Sequence, residues 1–232
     1  TKRYEEETNL RCHIIIDNSS SMHYPEIKGF GINSLNKIGF SVLASAAIMN
    51  LLKRQRDAVG LSIYSDSYEF YVSEKGSERH HQMILGQLNN AISKPKAQTQ
   101  TKTYEYLHLI AEKLKRRSLV FLFTDMFQSD ADQEKMFSAL QHLKYNKHEL
   151  VLFHTYDKEK EVNFDFSNRP KRFVDVETGE HVNIYADNIK EDYEKAVEGY
   201  FNDLELRCAQ YQIKYVRTNI NESFNKILTT YL

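Results

Sequence analysis

Asp17, Ser19 and Ser21 alternate in the stretch Asp17-Asn18-Ser19-Ser20-Ser21, and a second aspartate, Asp125, follows the apolar run 118–123. A carboxylate with alternating hydroxyls offers only oxygen donors. Hard divalent cations such as Mg2+ accept that set, keeping near-octahedral geometry and retaining water where the protein does not reach. Two carboxylates roughly neutralise a divalent ion, and because hydroxyls donate weakly the ion still seeks one more anionic oxygen. Such a site suits gripping a ligand through the ion better than holding the ion tightly. Serine-rich turns after strands are common and alone would imply only turn chemistry. The conjunction with a second strand-end aspartate turns the reading towards a metal.

For these residues to meet, the chain must bring them to one edge. The three isoleucines at 14–16 end a β-branched run, 11–16, of the kind needed by a strand buried on both faces. Apolar residues at helical spacing from Leu35 to Leu52 predict a long, deeply packed helix over 33–56. Residues 57–64 and 68–72, joined by Ser65, Asp66 and Ser67, read as a hairpin that includes an edge strand. Helices are expected over 80–92, 104–116 and 130–143, with strands at 118–123 and 149–154. The last third breaks this rhythm: 173–176 and 181–184 flank Glu177, Thr178, Gly179 and Glu180 as a small hairpin, inside an insertion spanning 158–185. A helix over 187–211, a strand over 213–217 and a closing helix over 222–231 complete the chain.

Alternating strands and helices at this spacing predict an α/β fold, a Rossmann-like, doubly wound, mostly parallel sheet with one antiparallel edge strand and helices on both faces. In such a sheet the loops beyond the carboxyl ends of the strands converge on one crevice. Asp17 and Asp125 both open into it. The loop 98–103 approaches the same edge, because it precedes the helix feeding the strand that ends at Asp125, and it carries Thr99, Thr101 and Thr103 as hydroxyl donors.

Composition removes several alternatives. With 31 Lys plus Arg against 32 Asp plus Glu, no overall field draws the chain to nucleic acid or anionic lipid. Apolar runs such as 119–123 are far below the roughly 18 to 20 residues that span a bilayer, and no charged-then-apolar leader opens the sequence, so a soluble, cytoplasmic protein without membrane insertion is expected. Cys12 and Cys208 form no CxxC pair and read as buried, reduced thiols. The 232 residues are read as a single domain, 1–232, with a lead-in over 1–11; because the chain opens inside a polar segment, a further N-terminal segment is expected to precede it.

Asp17-Asn18-Ser19-Ser20-Ser21, Thr101 and the pair Thr124-Asp125 resemble the metal-ion-dependent adhesion site of von Willebrand factor A domains. Tyr4-Glu5-Glu6-Glu7-Thr8-Asn9-Leu10-Arg11, Asp57-Ala58-Val59-Gly60-Leu61 and Phe173-Val174-Asp175-Val176-Glu177-Thr178-Gly179 are similar to segments of one bacterial subfamily. Its members accompany MoxR-type AAA+ ATPases and long carried an unknown-function label. The similarity runs from Arg3 to the C-terminus. The resemblance implies that Ser19, Ser21 and Thr101 touch the ion while Asp17 and Asp125 act directly or through water. Mg2+ is the expected ion, with Mn2+ or Ca2+ as alternatives. It also implies a protein partner, either a MoxR-type ATPase or its client, in a protein maturation or assembly system. The family often places glycine before the threonine and an acidic or amide residue after it. Here Gln100 and Lys102 flank Thr101, and Thr99 and Thr103 compete for the role.

His23, Tyr24 and Lys102 are candidates for lining the partner-binding face; loop exposure explains the first two equally well, and Lys102 could greet an acidic partner. His13 and His154, within apolar strands, read as satisfied core histidines, and His80 and His81 as surface residues at a helix start. The rival function is a Mg-dependent phosphotransfer or phosphatase enzyme using Asp17. Phosphoaspartate hydrolases need a second carboxylate two residues on, where this chain has Ser19, and receiver domains cluster acids where it has Cys12 and His13. No Gly-rich phosphate loop or nucleophile elbow occurs. A non-catalytic binding module is therefore expected.

Overall fold

The computed structural model describes residues 10–27, 35–93, 103–115, 117–126, 130–166, 171–174, 181–184 and 186–222. The isoleucine run forms β1 (Arg11–Asp17), followed by a 3-10 turn (Ser20–His23), α1 (Lys37–Arg54), β2 (Ala58–Tyr64), β3 (Tyr68–Lys75) and α2 (Glu78–Ser93). Then come α3 (Thr103–Lys113), β4 (Leu119–Thr124), α4 (Asp130–Tyr145), β5 (Glu149–Tyr156) and a π-helical turn (Lys158–Val162). The hairpin strands β6 (Lys171–Val174) and β7 (His181–Ile184) precede α5 (Ala186–Gln210) and β8 (Lys214–Asn219).

The main sheet has six strands in the order β3-β2-β1-β4-β5-β8. β1, β2, β4, β5 and β8 run parallel and β3 is antiparallel at the edge. This is the doubly wound architecture with one antiparallel edge strand that the sequence predicts. The chain leaves β1 towards β2 on one side and enters β4 on the other, so the order reverses between β1 and β4 and a crevice opens there.

Period-two alternation explains why three isoleucines stand together in β1. Cys12, Ile14 and Ile16 join the core beneath α1 and α2, whereas Ile15 joins the core beneath α3 and α4, with Leu107, Ile110 and Leu140. Each fully buried isoleucine contributes roughly 2 kcal/mol, so the strand belongs at the sheet's centre. The helix read over 33–56 begins at Lys37, because the Asn36 side chain accepts from the Gly39 amide at 2.9 Å and caps it there. Ser41 and Ser45 sit inside this nearly all-round buried helix by donating to the carbonyls of Lys37 and Ser41, one turn back.

The hairpin forms its own two-stranded sheet, with Lys171 opposite Ile184 and Val174 opposite His181. Its first strand thus starts two residues earlier than the expected 173–176, and 175–180 lie outside the described residues. The closing helix expected over 222–231 lies outside the described residues after Glu222.

The histidine expectations divide. His13 is fully buried and bonds Glu74 Oε1 through Nδ1 and Ser62 Oγ through Nε2, both at 2.7 Å. His154 is equally buried, with Nδ1 at 2.6 Å from the Tyr215 hydroxyl. His80 and His81 are not surface residues: both are buried, His80 bonding the Val59 carbonyl at 2.8 Å. The reason is helical spacing, which sets 80 and 81 on the face of Ile84, Leu88 and Ala91 that packs into the core.

Candidate functional site

By strand alternation Asp17 falls on the β1 face of His13 and Ile15, and Thr124 on the β4 face of Val120 and Leu122. With Ile15 registered on Leu122 the two meet at the strand ends, and Thr124 Oγ1 donates to Asp17 Oδ2 at 2.8 Å. The other carboxylate oxygen accepts from the Ser19 amide at 2.9 Å, closing an Asx turn that aims the serines back over Asp17. Ser19 Oγ and Ser21 Oγ lie 3.1 Å apart. Met22, fully buried in the core below, pins the turn, and Asn18 is fixed by donating its backbone N–H to the Tyr64 carbonyl at 2.7 Å. Asp17 and Ser19 are each only 3% exposed. Burial first, and then the negative charge of Asp125, push the Asp17 carboxyl up to about 6, against the opposing pull of its bonds from Ser19 and Thr124.

Asp125 has the opposite parity and faces α1. Its Oδ2 accepts from Lys37 Nζ at 3.0 Å, and the same ammonium donates to Glu161 Oε1 at 2.6 Å. Glu161 Oε2 in turn accepts from the Asp157 amide at 2.7 Å. Burial lowers the affinity of Lys37 for its proton, but Asp125 and Glu161 outweigh it and hold the ammonium well above its ordinary range. Burial also pushes His154 down to about 3 despite the nearby Asp125, so it stands beside this cluster uncharged. Neither Lys37 nor Glu161 was singled out in the sequence. The available signal was a lysine directly before Ile38 in a helix too apolar to have a wet face.

Of the sequence candidates, Asp17 is linked to Ser19 and Ser19 to Ser21, and Asp125 is the electrostatic neighbour of Asp17. Thr101 and Lys102 lie outside the described residues. Thr103, named as a competing hydroxyl, is buried at the start of α3 next to Tyr64. His23 and Tyr24 are half-buried: His23 Nε2 bonds Asn18 Oδ1 at 2.9 Å, and the Tyr24 ring lies 6.0 Å from Lys37 Nζ. Burial, with Asp157 and Glu161 adding to it, pushes the Tyr24 hydroxyl up to about 12.

Two observations test whether these groups suit a divalent ion. Cis ligands of an octahedral ion with bonds of about 2.1 Å stand roughly 3 Å apart. The Ser19 and Ser21 hydroxyls, 3.1 Å apart, already have that spacing. The Tyr64 hydroxyl, fully buried within electrostatic reach of Asp17, Asp125, Thr103 and Thr124, has no hydrogen bond of good geometry among the described residues. A hydrated ion would supply one. No three His, Cys, Asp or Glu side chains among the described residues cluster closely enough to hold a metal, so an ion here depends on the hydroxyls.

None of the described helices is long and apolar enough to cross a membrane. Two solved structures share the fold. An aerotolerance-related membrane protein from Bacteroides fragilis NCTC 9343, carrying multiple mutations to serines, superposes with a TM-score of 0.55 at 12% identity over 95% of this chain and 98% of its own. The conserved hypothetical protein BatB from Bacteroides thetaiotaomicron gives 0.54 at 12% identity, over 96% and 95%. No curated protein matches by sequence. Residues 1–200 match the family described as "Protein of unknown function DUF58", and with that span covering most of its length the chain belongs to the DUF58 family.

Proposed function

We propose that this chain is a non-catalytic protein-binding module that captures a partner carboxylate through a divalent cation, Mg2+ being best suited and Mn2+ or Ca2+ alternatives. The observation that carries the reading is the pair of serine hydroxyls at octahedral spacing beside a buried aspartate. Asp17, Ser19, Ser21 and Asp125 would hold the ion, with one hydroxyl from the 99–103 threonines, and His23, Tyr24 and Lys102 would border the face a partner meets. The ion would act as a bridge, supplying positive charge that neither a serine nor a half-buried tyrosine can offer an incoming glutamate or aspartate. That contact would form in a partly desolvated crevice, where Coulomb attraction exceeds its value in bulk water.

Phosphotransfer through Asp17 is disfavoured by the same geometry. Both Asp17 oxygens accept hydrogen bonds, the residue is 3% exposed, and Ser19 stands where an acid would be needed. A cytoplasmic MoxR-type AAA+ ATPase, or its client, is the partner class the family resemblance suggests. The test is affinity capture by the full-length protein with and without chelator, comparing wild type with Asp17→Ala and Ser19→Ala and checking each fold by circular dichroism. Capture should be lost with chelator and with Asp17→Ala, and weakened by Ser19→Ala. Undiminished capture by Asp17→Ala, or in chelator, would overturn the reading.

A further inference from the structure

The site already contains a cation. Lys37 is 1% exposed, and its ammonium lies 3.0 Å from Asp125 and 2.6 Å from Glu161. A charge taken this far from water persists only if its partners replace the lost hydration. Those partners come from different parts of the chain. Asp125 ends β4, whereas Glu161 belongs to the π-helical turn, anchored by the Asp157 amide at 2.7 Å and by the Tyr193 hydroxyl, which donates to the Glu161 carbonyl at 2.9 Å. Lys37 is thus a bolt between the metal-side aspartate and a segment that the sequence presents as an insertion.

Asp17, Asp125 and Glu161 bring three negative charges against one from Lys37. The residual two are what a divalent ion would neutralise, but the ammonium already lies against Asp125, 3.0 Å from its Oδ2. A second cation drawn to Asp17, Ser19 and Ser21 meets a partner aspartate already engaged, and a fixed positive charge that repels it.

We infer that Lys37 is a resident counter-cation of the site, which competes with the divalent ion for Asp125 and couples that ion's arrival to release of Glu161 and the 158–162 turn. The inference rests on the metal-site reading and deepens it. A free ion alone is held weakly, and the site fills when an acidic partner contributes its own carboxylate, repaying the lost Lys37–Asp125 contact. Occupancy by metal and by partner then rise together.

The test is calorimetric titration of Mn2+ and Mg2+ alone into wild type, Lys37→Met and the double variant Lys37→Met/Glu161→Gln, with thermal unfolding in chelator and in excess ion. Lys37→Met should bind the ion at least tenfold more tightly than wild type. Its melting temperature should fall in chelator and recover with ion, while that of wild type moves little. The double variant removes opposite charges together, so it carries the test if Lys37→Met fails to fold, and it too should bind at least tenfold more tightly. Folded variants that bind no more tightly than wild type overturn the inference. If that happens while wild type binds and Asp17→Asn does not, the metal site itself still stands. If wild type binds no ion alone but the Lys37 variants do, the inference holds, and the metal-dependent reading of the native chain is decided by the chelator arm of the capture experiment. If none binds, both fall.

Discussion

Asp17→Asn should stabilise the metal-free protein, a result opposite to that of most substitutions of a buried, hydrogen-bonded residue. Folding raises the Asp17 carboxyl from 3.8 to about 6, because burial and Asp125 disfavour its charge. The native state therefore holds this proton more tightly than the unfolded chain does. The resulting penalty is absent below the unfolded value, grows as pH rises through the window between the two, and is complete above the folded value. Two pKa units at 1.36 kcal/mol each make the penalty on the order of 3 kcal/mol at pH 7.5. Asparagine removes the charge while its oxygen can still accept from the Ser19 amide and its NH2 can donate to Thr124 Oγ1. For a chain of this size, 1 kcal/mol moves the melting temperature by roughly 2 to 4 °C, so a gain of about 5 to 10 °C is expected in chelator at pH 7.5. At pH 4 the gain should vanish, and excess Mg2+, which shifts wild type only slightly, should not shift the variant at all. Thermal unfolding across pH 4 to 8 with and without ion is the assay. A variant no more stable than wild type in chelator at pH 7.5, or equally advantaged at both pH extremes, would refute the reasoning.

Gly60→Ala should cost about 2 to 3 kcal/mol in urea unfolding, because an added Cβ would lie 2.5 Å from His13 Nδ1 and 2.8 Å from the Val72 carbonyl oxygen, neither of which can retreat. Glu74→Gln should cost about 1 to 3 kcal/mol at neutral pH by weakening the buried bond to His13. Burial alone would raise the Glu74 carboxyl, but His13 more than reverses this and leaves it below its usual value, so the stabilisation is present at neutral pH and is lost as pH falls through the depressed value. The difference between variant and wild type should accordingly shrink on acidification, in denaturant titrations at pH 7 and pH 4.

The strand-end aspartates were legible because each ends a run of β-branched or aromatic residues, and a parallel sheet sends all such ends to one edge. The side of the sheet each aspartate serves also follows from period two, once Ile15 is paired with Leu122. What the sequence did not reveal are contacts between residues far apart in the chain. Lys37 and Glu161 are 124 residues apart and neither belongs to a motif. Polar residues in a helix are ordinarily assigned to its wet face. For Lys37 no such face exists, since Ile38, Phe40, Ser41, Val42, Ala44 and Ser45 are buried around it. His80 and His81 were misplaced by the same habit, although their spacing from Ile84 and Leu88 already set them on the buried face.

Alternation along neighbouring strands sends Asp17 and Asp125 to opposite faces of the sheet, and the consequences are unequal. On the α1 face Asp125 meets an ammonium and, through Lys37, a second carboxylate. On the α3 face the hydrogen bonds to Asp17 among the described residues come from neutral dipoles, the Ser19 amide and the Thr124 hydroxyl. Dipoles moderate the cost of a buried charge without cancelling it, so burial and then the charge of Asp125 still raise the affinity of Asp17 for a proton. On the proposed reading, an approaching cation would be drawn first to the side of Asp17 and the paired serines. The α1 side would respond by rearranging the salt bridge that joins Asp125 through Lys37 to Glu161, which would give an event at the crevice a direct mechanical route to the 158–162 turn.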